Sequence, residues 1–182
     1  MLVICRNIFL LLYNYVAFTV LKPKKIRVIP TLSQHWKLQF SIKPFHTKHG
    51  WTNVMHATIG GNVGKIGDRI PAVFFNSRTT KLHICSAVSG NKNFCKNTNA
   101  LPINKFSSVI IQQIPKQRRY GTRSYGTQYH YQIIINGKTV LDVVNKYPQV
   151  FHKVSYYVSD PWYPPAVAVV SNFRIHVFKV KY

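Results

Sequence analysis

Residues 35–44, HWKLQFSIKP, alternate without a break: Trp36, Leu38, Phe40 and Ile42 share one parity, and Lys37, Gln39, Ser41 and Lys43 share the other. Successive side chains of an extended chain point to opposite faces, so this segment is a strand buried on one side. Further β-rich segments follow at short intervals, at 51–59, 71–76, 81–88, 106–114, 129–137, 138–144, 153–159 and 171–180. The connections between them leave no room for a long helix, which excludes a parallel sheet with helical crossovers. Many short strands separated by turn residues fold as an all-β antiparallel two-sheet sandwich or jelly roll. The clearest hairpin is YQIIINGKTVLDVV, in which Asn136 and Gly137 supply the two positive-φ positions of a type I′ turn. The stretch RRYGTRSYGTQY repeats YGT among basic and polar residues and reads as an extended loop between strands.

Charge narrows the functions. The 182 residues carry 25 Lys plus Arg against three acids, Asp68, Asp142 and Asp160, with no glutamate and a net charge of +22. Such an excess attracts polyanions, among them sulfated glycan, nucleic acid and anionic headgroups. The plainer reading, a solvated basic surface, has equal standing because the lysines form no long block. Paired carboxylates are what glycosidases, two-metal nucleases and calcium-dependent enzymes require, and three scattered Asp do not supply them. The eight histidines lie in no motif with Cys or Ser. A protein without enzymatic activity is expected.

Residues 8–21, IFLLLYNYVAFTVL, are apolar except for Asn14. The run is short for a membrane span and suits the core of a secretory leader. Its positive flank, KPKKIR, follows it rather than precedes it, which is the arrangement of an anchor with the domain on the cytoplasmic side. Residues 1–28 are therefore read as leader, anchor or neither, and 29–182 as the β-sandwich domain. Removal of a leader would take Cys5 with it and leave Cys85 and Cys95 as a pair. KLHICSAV alternates, SGNKN is turn chemistry with Gly90 and Asn91 suited to positive φ, and Phe94-Cys95 begins the return, so the two cysteines flank a hairpin. A disulfide is expected, and with it an oxidising, extracellular setting. A zinc site would need a second ligand pair.

From about Ile29 to Phe178 the order of features resembles the concanavalin A-like lectin/glucanase superfamily in its laminin G-like form, as found in small secreted animal proteins. The stretches that carry the resemblance are WKLQFSIKP, GWTNVMHATIGGN, GDRIPAVFF, LHICSAVSGNKNFC, YQIIINGKTV and VSDPWYPPAVAVVSNFRI. It implies an antiparallel jelly roll that binds carbohydrate or protein at loop edges or on a sheet face. The glutamates of glucanase and galectin-type sites are missing, so no hydrolase activity carries over, and fold transfers better than ligand.

Three stretches are candidate sites. In SDPWYPP the prolines hold Trp162 and Tyr163 near the surface, where they would stack on a sugar or enter a protein pocket, or else plug one end of the sandwich. In KQRRYGTRSYGTQYHY, Arg118, Arg119 and Arg123 alternate with Tyr120 and Tyr125, a mixture suited to sulfate or phosphate and equally to a solvated loop. In GGNVGKIGDRI, Asp68 and Asn62 are candidate calcium ligands, against a plain turn in which Asp68 pairs with Arg69 or Arg174. No cofactor is expected, calcium being the one admissible metal. The reading that follows is a secreted binding module for a glycan, a sulfated polyanion or another extracellular protein. A matrix or adhesion protein is the first alternative. An intracellular nucleic-acid binder is the second, weakened by the lack of any nucleic-acid motif. Membrane contact would come only through an uncleaved N-terminal segment.

Overall fold

The computed structural model describes residues 8–15, 19–120 and 123–180, with side chains for 21–118 and 126–178. Among the described residues the regular structure is all strand, arranged as two antiparallel sheets. The seven-stranded sheet runs in the order β1 (Ile8–Tyr15), β13 (Ala168–Val180), β4 (Trp36–Pro44), β9 (Ser107–Tyr120), β10 (Arg123–Ile135) and β11 (Lys138–Asn145), with β2 (Thr19–Val20) also pairing with β13. The six-stranded sheet runs β3 (Lys24–Leu32), β12 (Phe151–Val158), β5 (Thr52–Thr58), β6 (Ala72–Phe75), β7 (Lys81–Val88) and β8 (Asn91–Ala100). Neighbours in sequence often lie in different sheets, as a jelly roll requires.

The alternation of β4 is realised as read: Trp36, Leu38, Phe40 and Ile42 are buried between the sheets. They meet aromatic residues of other strands, Trp36 against Tyr131 at 6.3 Å and Phe40 against Phe173 at 6.1 Å between ring centroids. Tyr156 packs edge-on against Phe173 from the opposite sheet at 6.4 Å, joining the layers, and its complete burial pushes its phenol above the ordinary range. Asn136 and Gly137 take positive φ of 49° and 79°, the type I′ turn expected between β10 and β11.

Two readings change. The basic stretch is strand rather than loop up to Tyr120 and again from Arg123: β9 and β10 pair antiparallel there, with Gln117 opposite Thr127 and Tyr120 opposite Arg123. Long strands tolerate Tyr, Thr and Arg on a solvated ribbon, and turn-prone glycine at 126 is absorbed by a register shift between Ser124 and Thr127. In the Cys85–Cys95 hairpin the positive φ falls on Ser89 (52°) and Gly90 (82°), while Asn91 already pairs with Val88 in the ladder. Residues 8–15, within the segment read as leader, anchor or neither, pair as an edge strand with β13, from Ile8 opposite Val180 to Tyr15 opposite Phe173. Strand β3 begins at Lys24. No helix among the described residues is long and apolar enough to cross a membrane.

Candidate functional site

In the six-stranded sheet, Val54, Met55, Ala57, Val73, Phe75, Leu82 and Ile84 belong to the core between the layers. The opposite parity faces outward in two rows set by register. One row runs Tyr157, His56, Ala72, Cys85, Cys95, and the next runs Asn53, Phe74, His83, Asn97. Outward residues are normally wet, yet His56 and Asn53 are fully buried and Phe74 nearly so. Two connections cover them: residues 59–71 between β5 and β6, and residues 159–167 between β12 and β13.

Asn53 and Asp160 stitch down the second connection. Asn53 donates its N–H to the Pro164 carbonyl at 2.9 Å, accepts from Ala166 N at 3.0 Å, and its side-chain oxygen accepts from Asp160 N at 2.9 Å. Asp160 Oδ1 accepts from the backbone N–H of Trp162 (3.1 Å) and Tyr163 (2.9 Å), an Asx turn that aims both aromatic side chains. Its other oxygen, Oδ2, lies in hydrogen-bond contact with His56 Nδ1 at 2.7 Å, and His56 Nε2 with the Asp68 carbonyl at 2.6 Å. One buried imidazole thus ties both covering connections to β5.

Where the covers part, Trp51, Arg69, Phe74, His83 and Tyr163 enclose a pocket of about 170 Å³. Its walls are aromatic. Trp51 meets His83 edge-on at 4.7 Å and Phe74 at 6.4 Å, and Tyr163 meets Phe74 at 5.0 Å. Trp51 is 43% exposed, a large apolar face left in water beside the opening. The Arg69 guanidinium lies 5.0 Å over the Phe74 ring. Arg69 donates from Nε to the Asn62 carbonyl (3.1 Å), from Nη2 to Asn62 Oδ1 (3.2 Å) and from Nη1 to Asn93 Oδ1 (2.8 Å). His83 holds its orientation through Nδ1 and Asn97 Oδ1 at 2.7 Å. The volume is below the roughly 300–1,000 Å³ typical for drug-sized ligands, so it suits one ring or the end of a chain.

The expected site residues separate. Tyr163 is a pocket wall, whereas Trp162, 39% exposed, lies tilted against His56 (5.2 Å) and edge-on to Tyr157 (6.2 Å) beside it and roofs the sheet rather than plugging the sandwich. Arg118 belongs to the other sheet, where it lines a second pocket, of about 280 Å³, with Thr127, Tyr129 and Lys146. The side chains of Arg119, Tyr120, Arg123 and Tyr125 lie outside the described residues. Asp68 is buried, and its Oδ2 accepts from Lys65 N at 2.9 Å, closing the turn. Gly61 is required there, because a Cβ at that position would lie 2.6 Å from the carboxylate. The anticipated pairing of Asp68 with Arg69 or Arg174 is replaced by the neutral oxygens around Arg69. Of the two candidate calcium ligands, Asn62 Oδ1 accepts from the Arg69 guanidinium, while Asp68 Oδ1 is buried without a hydrogen-bond partner. Cys85 and Cys95 are joined, directly opposite each other in the β7–β8 ladder.

Trp51, Arg69, Phe74 and His83 were not among the expected site residues. The available signal was PAVFFN, whose unbroken apolar run belongs to a strand covered on both faces.

No protein-family model matches the sequence, and no curated protein does. Among solved structures, the chain is similar to the native heptameric SAP-like pentraxin from Limulus polyphemus, over 93% of this chain and 76% of that one, at 10% identity and TM-score 0.54. It is similar to the receptor binding domain of botulinum neurotoxin D over 97% of this chain and 46% of that one, at 12% identity and TM-score 0.51. A third likeness, at TM-score 0.52 and 10% identity, is to Trypanosoma rangeli sialidase over 78% of this chain, which spans 20% of the sialidase. Identities this low show the fold alone, a two-sheet antiparallel jelly roll.

Proposed function

We propose that the chain is a secreted carbohydrate-binding module without enzymatic activity, and that the pocket of Trp51, Phe74, His83 and Tyr163 takes a sugar ring. The observation that carries this reading is an aromatic cleft held open by a buried hydrogen-bond network, with polar groups converging on it. Flat aromatic faces pack against the C–H face of a pyranose while nearby donors fix its hydroxyls. The Cys85–Cys95 bond supports an oxidising destination. The absence of catalysis is supported by the employment of all three carboxylates: Asp68 closes a turn, Asp160 holds a loop and Asp142 takes hydrogen bonds on the other sheet. A sulfated chain would find added charge contacts at the second pocket, lined by Arg118 and Lys146.

Titration of the oxidised protein with neutral mono- and oligosaccharides, read by tryptophan fluorescence and NMR shifts, tests the site. Trp51→Ala should abolish the response while costing about 1–2 kcal/mol of stability through its lost edge contacts to Phe74 and His83, which leaves the protein folded. Saccharide binding that survives Trp51→Ala and Tyr163→Ala unchanged would place the site elsewhere.

A further inference from the structure

Arg69 is 6% exposed, yet among the described residues no carboxylate lies within ion-pair distance of it. A cation removed from water is normally matched by an anion, because neutral hydrogen-bond acceptors replace only part of the lost hydration. Every acceptor around this guanidinium is neutral: the carbonyl and side-chain oxygens of Asn62, the side-chain oxygen of Asn93, and the Tyr163 hydroxyl at a weak 3.5 Å. Asp68, next in the chain, directs its carboxylate into the turn at Gly61 and Lys65. Five N–H donors therefore meet three good acceptors and one poor one, on the wall of an open pocket. Lys92, whose ammonium donates to the Gly64 carbonyl at 2.9 Å, adds positive charge to the same covering connection.

Resting on the reading of this pocket as a saccharide site, the geometry points to an acidic sugar as its ligand: a ring bearing a carboxylate or sulfate, whose oxyanion completes the coordination of Arg69 while the ring packs on Trp51 and Tyr163. The two asparagines hold the guanidinium plane in place before the ligand arrives, which is the arrangement that lets an arginine grip an oxyanion with two hydrogen bonds. The Tyr163 contact is weak enough to be displaced. An intramolecular carboxylate at this point would have neutralised the site, and the structure places Asn93 where one would stand.

The test compares methyl β-glucuronide, glucose 6-sulfate and methyl β-glucoside on wild type, Arg69→Gln and Asn93→Asp, by NMR titration at low and at raised salt. In wild type one or both acidic sugars should bind about tenfold or more tightly than the glucoside, and the ratio should shrink as salt rises. Comparing the glucuronide with the sulfate identifies the preferred oxyanion. Both variants should bring the ratio to about one. Asn93→Asp does so by setting a carboxylate where an amide oxygen now lies 2.8 Å from Nη1, and it decides the matter if Arg69→Gln fails to fold. Equal affinity of wild type for acidic and neutral sugars, or a preference that persists in Asn93→Asp, would overturn the acidic-ligand inference and leave the saccharide site standing. Failure of all three sugars to bind wild type would remove both.

Discussion

The outer face of the seven-stranded sheet is a polar surface that solvates itself, whereas the outer face of the six-stranded sheet is a buried one that had to be roofed. On the first, one row of register crosses five strands: His176, Lys37, Gln112, Gln132, Asp142. Three of its members bond along the row, Gln112 Nε2 donating to Gln132 Oε1 at 2.7 Å and Gln132 Nε2 to Asp142 Oδ2 at 2.8 Å. Lys116 and His130 converge on the same carboxylate at 2.7 and 2.6 Å. On the second face the equivalent positions hold Asn53, His56 and Phe74, and two connections close over them. A hydrogen-bonded polar row needs nothing above it. A mixed apolar and buried-polar row needs a cover, and the seam between two covers makes a concave site.

That contrast can be broken at its strongest point first. Asp160→Ala leaves His56 buried without its partner and frees the N–H groups of Trp162 and Tyr163, so urea denaturation should show a loss of about 3–5 kcal/mol. A loss below about 1 kcal/mol would mean that the roof is held by something else. Next, reduction of the Cys85–Cys95 bond, which lies on the covered face, should cost about 2–4 kcal/mol, and the unreduced protein should resist alkylation at both cysteines. Rapid labelling of the native protein would contradict the bond. On the polar face the effects should be smaller. Gln132→Ala interrupts the row in its middle and should cost about 1 kcal/mol, the net worth of an ordinary hydrogen bond. A loss as large as that of Asp160→Ala would erase the distinction between the faces.

The smallest expected effect is a pH dependence. Burial pushes the Asp142 carboxyl up, but the hydrogen bonds from Lys116, His130 and Gln132 and the charge of Lys116 together outweigh it and hold the group down at about 2, against an ordinary 3.8. Folding therefore favours the ionised form. The contribution is complete above the ordinary value and is lost as pH falls towards about 2. Since the pair is partly exposed, it should amount to about 1 kcal/mol or less. Stability curves of wild type and Asp142→Asn should converge in that window and separate above it; parallel curves would show that the carboxylate contributes nothing. His176 on the same row is held below its ordinary range, by burial first and then by the neighbouring charges of Lys37 and Arg174.

The strand alternation of β4, the type I′ turn at Asn136-Gly137 and the paired cysteines are local matters, decided by side-chain parity and by φ preferences within a few residues, and each could be read along the chain. Carboxylate scarcity was equally legible, since composition does not depend on fold. The site was less so: Tyr163 stood out through the prolines around it, but Arg69 looked like a turn residue and His56 like one more strand histidine. Their roles depend on pairs 94 and 104 positions apart, Arg69 with Tyr163 and His56 with Asp160, which only packing brings into contact. Sequence parity determines that a residue faces outward from a sheet. Whether that outward face meets water or a second layer is decided by where distant loops close, because burial belongs to the assembled chain and not to any segment of it.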